Sequence, residues 1–315
     1  MTLDPQSAWV LELVEKADYP LLESLSVAEA RAQYENTAWR LDFEPVSMAQ
    51  VEDHEVPVDG AAISARAYTP ETVTKVGAPT LVYLHGGGWV VGSVETHDRL
   101  CRSLAARARC KIVSIDYRLA PEHPFPGPVE DAVAAFRWVA ANADALSVDA
   151  ARIAIGGDSA GGNLAAVACQ QLRDAGDAMA PCFQLLIYPA TDFAGDYPSR
   201  SANAEGYVLT QTLIEWFDAH YRGDWTDLKD PRLSPLRASS LEGLPPALVV
   251  TAGYDPLHDE GMAYARALAE AGVAAEHQDY PGMLHGFFNF GGAVDVAAQA
   301  VGEAAKELRH AFGVV

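Results

Sequence analysis

Six short strand-like runs, TLVYLH, KIVSID, RIAIGG, FQLLIYP, ALVVTAG and AEHQDYP, punctuate the chain, with stretches of helical pattern between them. This alternation constrains the fold more than any other feature. A strand followed by a helical crossover returns parallel to its neighbour, and a parallel sheet needs both faces covered. The expectation is therefore an α/β fold with a mostly parallel central sheet flanked by helices. Ahead of these runs, HEVPVDGAAISARAYTP alternates as an antiparallel strand pair around the turn at Asp59 and Gly60. With 315 residues, half of them apolar, the chain can bury the core of one elaborated domain, or of a domain with a lid.

Two segments depart from the alternation. The first 45 or so residues are helical in pattern, with Ser26 and Glu29 spaced as a capping box for a helix running towards Trp39. Between Ala190 and Asp230 the connection is long and aromatic, and Thr210 is placed to cap the helix QTLIEWFDAHY. Connections of that length inside a compact domain are usually lids or binding insertions. Together the two segments are expected to form a helical cap over the carboxyl ends of the strands. The chain then divides into residues 1–50 (cap, N-terminal part), 51–190 (core), 191–230 (cap insertion) and 231–315 (core).

Charge narrows the partners. Lysine and arginine number 22 against 43 acidic residues, a formal net charge of −21 that repels nucleic-acid phosphate and anionic headgroups. A small neutral substrate is indifferent to that field. The N-terminal stretch lacks a basic region and an apolar run of signal length, and no segment approaches a membrane span. Cys101, Cys110, Cys169 and Cys182 show neither CxxC nor metal-ligand spacing, which predicts reduced, mostly buried thiols in a cytoplasmic protein without a metal site.

Residues 152–162, RIAIGGDSAGG, are a β-branched run, a serine between glycines, and then the helix-forming NLAAVACQQL. That is a strand, a sharp turn and a helix with Ser159 at the apex. A serine hydroxyl is a poor nucleophile unless it is exposed, aimed at a carbonyl and given a base, and a strained elbow supplies the first two. The base and its orienting acid belong on loops at the carboxyl ends of later strands. Of the downstream histidines, His310 falls in the last helix and His277 in a strand pattern, whereas His285 follows the turn at Pro281 and Gly282. Asp255 sits just past the strand ALVVTAG; Asp259 is the alternative, better placed to start the next helix. Asp158 points the wrong way along the elbow to hold a distant imidazole. Ser159, Asp255 and His285 then follow in the order expected of this elbow. Backbone donors for an oxyanion come from the glycine run after TLVYLH and from the N–H of Ala160.

The same run offers a dinucleotide-binding reading, since Gly86, Gly88 and Gly92 follow a strand and the next strand ends in Asp116. Trp89, Val90 and Val91 inside the loop, and a helix starting only near Thr96, weigh against it. No cofactor is expected.

Taken together, HGGGW at 85–89, DYRLAPEHPFP at 116–126, GDSAGG at 157–162, DPRLSPL at 230–236, DPLHDEG at 255–261 and HGF at 285–287 resemble the hormone-sensitive-lipase-like carboxylesterases of the α/β-hydrolase fold. The resemblance implies Ser159 as nucleophile, His285 as base, Asp255 as its orienter, and Gly87, Gly88 and Ala160 as the oxyanion hole. It gives His85, Arg118 and Glu122 structural roles, and it makes a homodimer plausible. His258 departs from the family's usual arginine. Trp89, Asp158, Tyr188 and Leu209 are candidates to line the substrate pocket, with ordinary packing as the competing role of each. The expected reaction is hydrolysis of short- to medium-chain carboxylic esters through an acyl-enzyme. An amidase or acyltransferase using the same residues, or a non-hydrolytic small-molecule receptor of the same fold, are the alternatives.

Overall fold

A computed structural model describes residues 2–73 and 77–314. Eight strands form one sheet in the order β1-β2-β4-β3-β5-β6-β7-β8. They are β1 (Gln50–Val58), β2 (Ala61–Thr69), β3 (Ala78–Leu84), β4 (Lys111–Asp116), β5 (Val148–Asp158), β6 (Gln184–Ile187), β7 (Ala247–Tyr254) and β8 (Ala275–Leu284). The pairings β1/β2 and β2/β4 are antiparallel and all others parallel, which bears out the mostly parallel sheet.

The helices are α1 (Pro5–Ala17), α2 (Val27–Thr37), α3 (Asp98–Ala108), α4 (Gly127–Ala141), α5 (Ala160–Asp174), α6 (Pro198–Ala202), α7 (Gln211–Arg222), α8 (His258–Glu270) and α9 (Asp295–Phe312). Two-residue periodicity in the strands feeds two cores. Val82, Leu84, Ile155, Leu186 and Val249 pack towards α4, α5 and α8. Leu81, Tyr83, Ala154, Leu185, Leu248 and Val250 pack towards α3 and α9. Each fully buried Leu, Ile or Val contributes about 1.5–3 kcal/mol, so both helical layers are held by the sheet rather than by their own propensity.

Caps set the ends of the outlying helices. Asp4 accepts from the N–H groups of Gln6 and Ser7 to start α1, and Ser26 and Glu29 form the reciprocal capping box of α2. Thr210 accepts from the N–H of Leu213 to start α7. Among the described residues no helix is long and apolar enough to cross a membrane, and no cluster of metal-ligating side chains occurs. All four thiols are unpaired; Cys101, Cys110 and Cys169 are buried and Cys182 partly so.

Candidate active site

The elbow forms because β5 runs straight into α5 with one residue between them. Ser159 takes φ 54° and ψ −116°, a strained conformation for a residue with a side chain. Its N–H donates to the Ile187 carbonyl (2.8 Å), which pins the turn to β6. Glycine is required at 161 because a Cβ there would run into the Leu84 carbonyl.

Three side chains from three strand ends meet at this turn. Asp255 follows β7 and is fully buried, and one of its oxygens accepts from the Leu257 N–H at 2.8 Å. Its other oxygen lies 2.6 Å from His285 Nδ1, and His285 Nε2 lies 2.9 Å from Ser159 Oγ. The consistent assignment has Nδ1–H donating to the carboxylate and Nε2 accepting from the serine hydroxyl. Asp259 and the other downstream histidines lie elsewhere. Asp259 is in the first turn of α8, His277 on β8 bonds Thr251, and His310 pairs with Glu307 on α9.

The glycine loop following β3 faces the serine. The N–H groups of Gly87, Gly88 and Ala160 make no hydrogen bond to the described residues. Gly88 adopts φ 57°, and a Cβ there would strike the ring of Phe217 on α7, so loop and insertion are in direct contact. His85 stacks on Tyr117 at 4.3 Å, and its Nδ1 lies 2.8 Å from the Gly86 carbonyl. Burial, with His97 adding to it, pushes His85 down to about 3. It is neutral, so Asp116 at 4.0 Å is no ion-pair partner.

Asp158 does not reach His285, as the direction of the elbow predicts, and it takes part in the cavity lining. Its buried carboxylate accepts from Tyr83 Oη at 2.7 Å and from the Gly86 N–H at 3.0 Å, and His97 Nε2 lies 3.3 Å away. It bonds a different imidazole, that of His97, and ties the residue before the serine to the glycine loop. Burial acts to raise its pKa, but the His97 charge and the bonds from His97 and Tyr83 outweigh it and keep the group below the usual range. For His97, burial acts to lower the pKa and the Asp158 charge overcomes it. The two form a buried ion pair.

A cavity of about 200 Å³ opens onto Ser159 and His285. Trp89 and Leu209 line it. Trp89 also stacks on Tyr221 at 4.2 Å. Tyr188 does not: it is buried with its ring 4.7 Å from that of His285, backing the imidazole instead of facing the cavity. The N-terminal segment adds Leu22, Tyr34 and Ala38, and α7 adds Leu213, Ile214 and Phe217.

Several residues brace the site; Ser199, Asn203 and Arg31 carry no sequence signal, whereas Arg118 and Glu122 take the structural roles that the resemblance implies. Asn203, just past α6, donates to the Asp255 carbonyl at 3.0 Å, and Ser199 donates to the Pro256 carbonyl at 2.8 Å. Arg31 on α2 donates to the carbonyls of Val90 and Ala120, both at 2.8 Å, and pairs with Glu122 at 2.6 Å. Arg118 makes a two-pronged pair with the buried Asp131, closing at 2.6 Å. The contacts of Ser199, Asn203 and Arg31 are long-range contacts of common residue types, visible only once the chain is folded.

This sheet order, with a serine elbow between β5 and α5 and its hydrogen-bonded partners beyond β7 and β8, defines an α/β hydrolase. A family model for the alpha/beta hydrolase fold matches residues 81–289, and the chain belongs to that family, in its hormone-sensitive-lipase-like branch. The chain is 38% identical to the ethyl acetate hydrolase of Pseudomonas putida over 96% of both proteins. It is 46% identical to the carboxylic ester hydrolase LipN of Mycobacterium tuberculosis, over 78% of this chain and 66% of LipN. Among solved structures, an ester hydrolase from the Lake Arreo metagenome, complexed with a bipyridine phosphonate derivative, superposes with a TM-score of 0.97. It is 46% identical over 99% of this chain and all of that one.

Proposed function

We propose that the protein is a serine carboxylesterase acting on short- to medium-chain carboxylic esters. The carrying observation is the unbroken hydrogen-bond chain from Asp255 through His285 to Ser159 Oγ at the floor of an apolar cavity. In this reading His285 takes the serine proton as Oγ attacks the ester carbonyl, while Asp255 fixes the imidazole tautomer. The N–H groups of Gly87, Gly88 and Ala160 receive the developing oxyanion. The alcohol leaves with the proton from His285, and water, deprotonated by the same imidazole, hydrolyses the acyl-enzyme. Esterase names among the relatives support the ester class, and a 200 Å³ cavity supports modest acyl chains over triglycerides. Unpaired thiols favour the cytoplasm, and a homodimer is the assembly for light scattering to check.

Ser159→Ala should abolish turnover of p-nitrophenyl butanoate, and Asp255→Asn should cost on the order of 10⁴ in kcat, as in the serine-protease case. A fluorophosphonate should add one mass increment to the wild type and none to Ser159→Ala. Retained activity in Ser159→Ala would overturn the assignment, and an unlabelled wild type would favour a receptor. A panel of matched esters, amides and alcohol acceptors separates an esterase from an amidase or acyltransferase.

A further inference from the structure

The cavity is apolar over most of its wall, yet Asp218 on α7 and Arg200 on α6 also line it. Arg200 directs Nε and Nη2 at the buried Glu260, at 3.2 and 2.7 Å, and its Nη1 makes no bond to the described residues. Asp218 is more unusual. Among the described residues none comes within hydrogen-bond or ion-pair distance of its carboxylate, although Arg200 and Arg222 are near enough to stabilise its charge. An unpaired carboxylate on an apolar wall is costly, and such a group commonly has a ligand as its missing partner. Burial, opposed by Arg200 and Arg222, brings its pKa up to about 7, so near neutral pH it has both ionised and protonated forms available to bond a substrate group.

We propose that Asp218 and Arg200 form a polar subsite at the cap side of the cavity that selects esters carrying a distal hydroxyl. A hydroxyl is the group that satisfies both residues, donating to the Asp218 carboxylate while accepting from Arg200 Nη1. An anionic substituent would be opposed by Asp218, a cationic one by Arg200, and a methyl terminus leaves both unpaired. The inference rests on the esterase reading and assigns it a substrate class.

The test uses two matched pairs that place the hydroxyl on either side of the ester. On the acyl side these are p-nitrophenyl hexanoate and its 6-hydroxy analogue. On the alcohol side they are pentyl acetate and 5-hydroxypentyl acetate. The wild type should hydrolyse both members of each pair, and in one pair the hydroxyl-to-methyl ratio of kcat/KM should fall at least about tenfold in Asp218→Leu, as loss of a charge-assisted hydrogen bond implies. Asp218→Asn, which keeps the size and one acceptor, should lie between the two. If Asp218→Leu does not fold, the Asp218→Asn ratio decides alone, with a threefold fall expected. Ratios unchanged in both pairs would overturn the subsite, whereas a wild type that hydrolyses none of the four esters would overturn the esterase reading itself.

Discussion

At the residue scale, the hydrogen-bonded serine and carboxylate were legible from local marks, glycines around Ser159 and a strand end before Asp255. His285 was found although the turn expected at Pro281 and Gly282 is absent: both lie within β8, which runs to Leu284. Asp158 was not legible. Its role depends on Tyr83, Gly86 and His97, none closer than 61 positions in sequence, so no local pattern could announce it. Tyr188 was misjudged for the same reason, since whether a ring faces a cavity or backs an imidazole is decided by packing. Asp158→Asn should remove the charge that His97 pairs with and loosen the Gly86 tether. We expect a loss of stability on the order of 3 kcal/mol in urea unfolding, the cost typical of breaking one side of a buried pair. A fall in kcat of at least about tenfold, with KM little changed, should accompany it if the loop donors shift. Unaltered kcat would show that the glycine loop after β3 holds its shape without this tie.

At the element scale, sheet and helices were legible because two periodicities, 2 and 3.6, dominate their sequences. The insertion was legible as an interruption and through its Thr210 cap. What it grips was not, because Ser199 and Asn203 reach across to the loop after β7. The start of α8 offers a pH test. His258 Nε2 lies 3.1 Å from Asp279 on β8, and Nδ1 lies 2.8 Å from Asp259. The Asp279 bond, helped by Asp259 against partial burial, raises its pKa to about 9 from an ordinary 6.5. A raised pKa means that this contribution to stability is complete below about pH 6.5 and disappears as pH climbs through 9. The urea midpoint should therefore decline between pH 6.5 and 9.5. His258→Arg, which stays charged throughout, should show a flatter profile; an equally steep one would place the alkaline loss elsewhere.

At the scale of the whole molecule, a net charge of −21 sets a background of self-repulsion that added salt screens. The Debye length shrinks from about 30 Å at 0.01 M to about 8 Å at 0.15 M. Close, partly buried pairs such as Arg118–Asp131 and Arg200–Glu260 lose little over that range. Repulsion between distant carboxylates loses most. The melting temperature should rise by a few degrees between 0.01 and 0.15 M sodium chloride in scanning fluorimetry, while KM for a neutral ester stays constant. A falling melting temperature would mean that exposed ion pairs outweigh the repulsion. The bonds from Ser199 and Asn203 to the loop that carries Asp255 also bear on how such an enzyme can be re-engineered. A segment that lines the cavity and also holds the loop carrying Asp255 is not an exchangeable module. A chimaera that imports another lid across residues 191–230 would keep its chemistry only if it brought equivalents of those two side chains with it.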